Sequence, residues 1–143
     1  MNILPVSLEV SPSIGTVTAE YITPEKMNCI MTLAHGAGAG MNHSFILMLA
    51  KSLAEEGIAT LRFNFPFTEH KKARPDVPAV AHKTIEAAID HAHQMFPSVP
   101  LFVSGKSFGL KSFGLYREWA RRETAEEPGV VDRRQHSRYD DLI

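Results

Sequence analysis

Cysteine is nearly absent. Cys29 is the only one in 143 residues, so no disulfide can form within the chain. It opens an apolar run and reads as a small buried side chain, not as a nucleophile. An excess of one charge is lacking too. Fifteen Lys and Arg face sixteen Asp and Glu, a formal net charge of -1. That balance points to neither nucleic acid nor an anionic membrane surface as a partner. No apolar run reaches the ~20 residues needed to span a bilayer. The first residues, Met1-Asn2-Ile3-Leu4-Pro5, have neither the basic start nor the apolar stretch of a secretory signal. The expected location is cytoplasmic. What remains is one domain's worth of chain, with enough apolar residues to bury a core.

Two early stretches, 6–10 and 16–21, read as strands joined by the turn Ser11-Pro12-Ser13-Ile14-Gly15, an N-terminal β-hairpin. Cys29–Ala34 is continuously apolar and stops at His35-Gly36-Ala37-Gly38-Ala39-Gly40, which suits a strand buried on both faces that ends in a pliant loop. Residues 44–56 show helical spacing, with Ile46, Leu49, Ala50 and Leu53 on one stripe, Asn42 or Ser44 as a cap, and Gly57 closing the end. A strand is expected over 58–65, then a loop over 66–78 broken by Pro75 and Pro78. A second amphipathic helix is expected over 79–96, with Ala81, Ile85, Ala88, Ile89 and Ala92 inward and Lys83, Glu86, Asp90 and His93 outward. The apolar run Leu101-Phe102-Val103-Ser104 follows. A hairpin and then strand-helix alternation predict an α/β fold: a mostly parallel sheet with helices on both faces and ligands beyond the carboxyl ends of the strands.

Gly105-Lys106-Ser107-Phe108-Gly109 comes next. A serine with glycine at both second neighbours, on a strand-to-helix turn, has the pattern of a nucleophile elbow. The bend is tight enough that only residues with little side chain fit two positions away. Ser107 would supply a hydroxyl nucleophile. The tetrahedral intermediate then needs donors. The backbone N–H of Phe108 is the first candidate. The second is the N–H of Ala37, in a loop where Gly36 and Gly38 leave the backbone unobstructed. The glycine-rich loop has a rival reading as a phosphate cradle, but it lacks the Gly-Lys-Ser/Thr ending of a nucleotide loop. His35 reads as fixing that loop by hydrogen bonding rather than as a base. Phe65, Pro66 and Phe67 follow a strand end and suit either an acyl-pocket wall or aromatic packing under the loop. His91 and His93 lie two apart on a helix, face different directions and make a poor metal pair, and both are expected to be exposed. His43, His70 and His82 have no partner at ligand spacing. No metal and no cofactor are expected.

The character changes after the elbow. KSFGL at 106–110 is repeated at once at 111–115. The second copy cannot form an elbow, because Leu110 stands where the first has Gly105. Thirteen of the last 27 residues are charged, against 18 of the first 116, so 117–143 reads as a solvated, disordered tail. A serine hydrolase also needs an acid and then a histidine after its serine. The only histidine there is His136, and Asp132 with His136 has the right order. Both fall in a segment with no strands to present them.

The segments LAHGAGAGMNHSF, GIATLRFNFPF, RPDVPAVAHKTIEAAID and LFVSGKSFG resemble the α/β-hydrolase superfamily. More narrowly, they are similar to the dienelactone-hydrolase-like group of small bacterial hydrolases, related to the hydrolase-like domain of a testis-expressed protein and of a chromatin acetyltransferase complex subunit. The resemblance covers about residues 28–109. It implies a serine hydrolase acting on a small ester, thioester or lactone, with Ser107 as nucleophile and Ala37 and Phe108 as oxyanion donors. The family's acid and histidine lie on later strand-end loops, and no position here matches them. The expectation is therefore a partial hydrolase domain over 1–116, truncated after the elbow by a duplication or frameshift, either still competent or an inactive remnant serving as an interaction module. In that case the strand at 101–104 would form an exposed sheet edge and invite self-association.

Overall fold

The structure is a computed structural model and describes residues 1–106, 108, 109 and 112. Five strands form one sheet: β1 (Asn2–Ser11), β2 (Gly15–Thr23), β3 (Cys29–Ala34), β4 (Ile58–Phe63) and β5 (Leu101–Gly105). Their order across it is β1-β2-β4-β3-β5. β1 and β2 are the expected hairpin, turning through Gly15 at φ 91°. β2 pairs antiparallel with β4, while β3 runs parallel to both β4 and β5. The continuous apolar run of β3 matches its position at the centre of the parallel part, where both faces are covered.

Three helices complete the fold: α1 (Ser44–Glu55), α2 (Pro66–Glu69) and α3 (Pro78–Met95). α1 lays Ile46, Ala50 and Ala54 against Ile22 and Leu33 on one face of the sheet. α3 lays Ala81, Ile85, Ala88, Ile89 and Ala92 against Tyr21, Ile30, Leu61 and Leu101 on the other. The chain steps from β3 to β4 in one direction and from β4 past β3 to β5 in the other. Its two connecting helices therefore have to lie on opposite faces for both crossovers to share one hand, as they do. The inward stripe read for α3 is buried in full. In α1, Ala54 is buried where Leu49 and Leu53 are only partly covered.

Three local expectations are corrected. The α1 cap is His43, whose Nδ1 accepts the Phe45 N–H at 3.2 Å, rather than Asn42 or Ser44. The stretch 66–78 contains a helical turn, because Pro66 sits in the first turn where its missing N–H costs nothing. His91 is half-buried, not exposed. Its Nδ1 lies 2.6 Å from the Tyr21 hydroxyl and ties α3 to the sheet. His93 is half-buried as well. Gly57 closes α1 at φ 80° as expected. Cys29 is half-buried, and burial pushes its thiol pKa up, which disfavours the reactive thiolate. The expected tail over 117–143 lies outside the described residues. Among the described residues β5 stands at one edge of the sheet and β1 at the other. No helix among them is long and apolar enough to cross a membrane. No group of three or more His, Cys, Asp or Glu among them could hold a metal ion.

Candidate active site

The register fixes where the loops meet. Ala34, the last residue of β3, pairs with Phe63 of β4 on one side and with Gly105 of β5 on the other. The loops that leave these three strands therefore start at one level on one end of the sheet, the end where open α/β sheets bind ligands.

The turn after β5 is built against Ala34. The Lys106 N–H donates to the Ala34 carbonyl at 3.0 Å, and the Gly109 N–H donates to the Lys106 carbonyl at 3.0 Å. Phe108 and Gly109 are helical. A Cβ built on Gly109 would sit 2.6 Å from the Ala34 oxygen and 2.7 Å from its carbonyl carbon. Glycine at this position has a steric cause, as the elbow pattern requires. Ser107 itself lies outside the described residues, as do Asp132 and His136. Ser112, the serine of the second KSFGL copy, is buried at 4 % exposure, which suits the absence of a glycine two residues before it.

The glycine-rich loop after β3 is anchored at both ends and exposed in the middle. At its entrance His35 is fully buried. Its Nε2 accepts the Phe65 N–H at 3.0 Å, which places the ring proton on Nδ1, and Nδ1 donates to the Gly36 carbonyl at 2.7 Å. Both nitrogens are engaged, so His35 fixes the loop and does not act as a base. At the exit, the Met41 N–H donates to Asn64 Oδ1 at 2.9 Å, and the Met41 carbonyl accepts from Arg62 Nη1 at 2.7 Å. Between these anchors Ala37, Gly38 and Ala39 are exposed. No backbone partner among the described residues takes the Ala37 or the Gly38 N–H.

Aromatic packing joins the three loops. Phe108 meets Phe65 at 5.1 Å and Phe67 at 5.4 Å between ring centroids, and the His35 ring lies 5.1 Å from Phe65 and 5.8 Å from Phe67. Phe65 and Phe67 are buried and pack as a floor beneath the loops. The Phe67 N–H donates to Asp76 at 3.1 Å.

A cavity of about 320 Å³ opens beside this loop, lined by residues 36–39, His43, Ile46 and Lys106. Ala37, Gly36 and Gly38 thus face it together with the residue that precedes Ser107. A groove of about 380 Å³ between β1 and α3 carries Glu9, Glu86 and Asp90. It lies against the hairpin, away from the strand ends that hold the two loops.

Arg62 and Asn64 were not singled out in the sequence, yet they hold the loop exit. One signal was present: Arg62 is a lone charge in the strand IATLRF, and a charge in a strand with both faces covered needs a partner. Arg62 Nη2 donates to Glu20, its register partner on β2. Asn64 in turn donates to Glu69 at 3.0 Å, and Glu69 accepts the N–H and hydroxyl of Thr18 at 3.1 and 2.8 Å. Burial pushes the Glu69 pKa up, but those hydrogen bonds outweigh it and hold the carboxyl below its ordinary value.

Burial lowers the His35 pKa beneath its ordinary 6.5, against smaller raising effects from the Gly36 bond and Asp76. The folded chain keeps His35 neutral where the unfolded chain would bind a proton. Stability from this group is therefore complete above pH 6.5 and falls as pH drops through that value. His82, lowered by burial, acts in the same sense. Asp76, Glu86 and Asp90, pushed up by burial, act in the opposite sense closer to the ordinary carboxylate range. Thermal melts are expected to show a plateau above about pH 7.5 and a decline from about pH 6.5 downward. The decline should be shallower in His35→Gln. An identical pH profile in the variant would remove His35 as its source.

A family model described as an alpha/beta hydrolase domain matches residues 27–116. No curated protein matches by sequence. Solved structures do match in fold. An α/β serine hydrolase without a lid from Xanthomonas campestris is 22% identical, with a TM-score of 0.65 over 76% of this chain and 52% of that one. A carboxyl esterase from Bacillus coagulans is 17% identical, with a TM-score of 0.69 over 82% of this chain and 40% of that one. A dienelactone hydrolase from Anabaena variabilis is 18% identical, with a TM-score of 0.61 over 76% of this chain and 54% of that one. At these identities the likeness is one of fold. The chain spans about half the length of the structures it matches.

Proposed function

The chain belongs to the alpha/beta hydrolase domain family, and from that premise we propose that it is a serine hydrolase cleaving an ester, thioester or lactone through Ser107. The Ser107 oxygen attacks the substrate carbonyl carbon while a general base takes its proton. The carbonyl π electrons move to oxygen, and that oxyanion accepts hydrogen bonds from the Ala37 and Phe108 N–H groups. Collapse expels the alcohol or thiol, which recovers the proton from the base. Water then repeats the sequence on the acyl-enzyme. The base and its acid partner are assigned to no described residue. His35 is unsuited, since both its nitrogens are bonded.

The observation that carries this reading is the meeting of two turns on Ala34. The backbone after β5 bonds to it and packs against it, and the glycine-rich loop begins one residue later. That arrangement supports donors from both turns acting at one end of the sheet. A second reading, a binding module on the same half-fold with no turnover, is favoured by the engaged state of His35, the histidine buried beneath the loop.

A fluorophosphonate probe on the full chain separates the two. The hydrolase reading expects covalent labelling that falls by at least about 10³-fold in Ser107→Ala and persists in Ser112→Ala. A sample that melts cooperatively yet takes no label favours the binding module.

A further inference from the structure

We propose that the cavity beside the glycine-rich loop selects substrates that carry a monoanionic group near the reacting carbonyl, with Lys106 as the residue that binds it. This deepens the hydrolase reading and rests on it for the position of the carbonyl.

The lining of the cavity has one sign. Among the described residues that wall it, Lys106 is the only one of formal charge, and none is Asp or Glu. His43, the other titratable group there, has its Nδ1 engaged as acceptor from Phe45, so in the neutral ring the proton sits on Nε2 as a further donor. The first turn of α1 carries no acidic residue that would neutralise the site. The Gly38 N–H, next to the proposed oxyanion donor Ala37, has no backbone partner among the described residues. The remaining wall, Ile46 with the small residues of the loop, is apolar or backbone. An ester with one negative arm would meet donors here and no competing carboxylate.

Lys106 is held rather than waving. Its Nζ lies 4.4 Å from the centroid of the Phe45 ring. A cation over an aromatic face keeps its remaining N–H groups available on the side away from the ring. This seat also accounts for Phe45, an apolar ring left 42 % exposed on α1. Lys106 immediately precedes Ser107 in the chain, so its backbone is fixed by the same Ala34 bond that sets the turn. One lysine matches a single negative charge better than a double one, for which paired guanidinium forks are the usual solution. The cavity, about 320 Å³, is at the small end of ligand sites, which limits the charged arm to a few carbons.

The test is equilibrium binding by NMR titration in the full-length Ser107→Ala chain, with monomethyl succinate as the anionic probe and dimethyl succinate as the neutral one. The monoanion is expected to bind about 10-fold more tightly, the scale of one hydrogen bond to a charged group. Adding Lys106→Met is expected to bring the ratio to about 1, whereas Lys51→Met, which removes an equal charge from the exposed side of α1, should leave it. Equal binding of the two probes, no binding of either, or an equal effect of Lys51→Met overturns the proposal. Anion preference in a chain whose wild type takes no fluorophosphonate label would retire the hydrolase reading and keep the cavity assignment. Labelling without anion preference would do the reverse.

Discussion

Gly109→Ala is expected to lower the melting temperature by roughly 5–10 °C and to cut fluorophosphonate labelling on the order of 10²-fold. The added methyl would fall 2.6 Å from the Ala34 oxygen, 2.7 Å from its carbonyl carbon and 2.7 Å from its Cβ. None of these atoms can give way cheaply. Ala34 ends β3 and is paired on both sides, and its oxygen already accepts the Lys106 N–H. Either β3 yields or the turn after β5 lifts away, and the second breaks the bond from Lys106 to Ala34. Overpacking of this kind costs about 1–3 kcal/mol, and a shift of about 1 Å at reacting groups is enough for the loss in rate. Gly38→Ala is the comparison. Its Cβ would meet nothing within 4 Å, so the variant should melt within about 1 °C of the parent, a surface change of little consequence. Equal melting of Gly109→Ala and the parent would show that the turn is not wedged against β3.

The two glycines look alike in the sequence, since each directly follows a proposed oxyanion donor, Phe108 or Ala37. Only packing tells them apart, because one faces a strand end and the other faces solvent. The same division runs through the fold. β3 was legible to the residue, since a strand covered on both faces leaves an unbroken apolar run with a glycine-rich stop. The α3 stripe was legible because one helix face meets the sheet along its whole length. The α2 turn was not, because Pro66 is a breaker inside an element and a favoured residue at its start, and only the structure says which applies. The His43 cap was missed because histidine is a rare choice where Ser, Thr, Asp and Asn lead. His91 was read as solvated because its partner, the Tyr21 hydroxyl, is 70 residues away. Of the candidate site, the loop and the turn could be read as motifs and His35 as the anchor of the loop entrance, while the residues that hold the loop exit could not. Arg62, Asn64 and Glu69 act through partners on β2 and on the loop exit, and such pairings leave no more local sign than the lone charge of Arg62 in an apolar strand.

Arg62→Met is expected to destabilise the fold by about 2–4 kcal/mol and to weaken labelling along with it. The Arg62 side chain is 1% exposed and bridges two elements that the chain brings together from far apart. One nitrogen donates to Glu20 across the β2–β4 register, and the other donates to the Met41 carbonyl at the exit of the glycine-rich loop. Methionine fills most of the volume but leaves Glu20 without its cation and Met41 without its donor. Removing one member of a buried pair costs more than the pair is worth, because the survivor remains poorly solvated. Glu20 keeps 24% of its side chain in solvent, which places the cost toward the lower part of the usual range. Adding Glu20→Gln removes the stranded charge, so the double variant should regain about half of the lost stability by urea melt. Its labelling should stay low, because the Met41 carbonyl is still unheld and the loop that carries Ala37, the proposed oxyanion donor, remains loose. That split separates two roles in one side chain, a charge partner to the sheet and an anchor to the loop. Full recovery of labelling in the double variant would mean that Arg62 serves only the sheet. A single variant as stable as the parent would mean that the bridge contributes nothing to either. Arg62→Lys, which retains the charge but not the two-pronged reach, should fall between parent and methionine in both measurements.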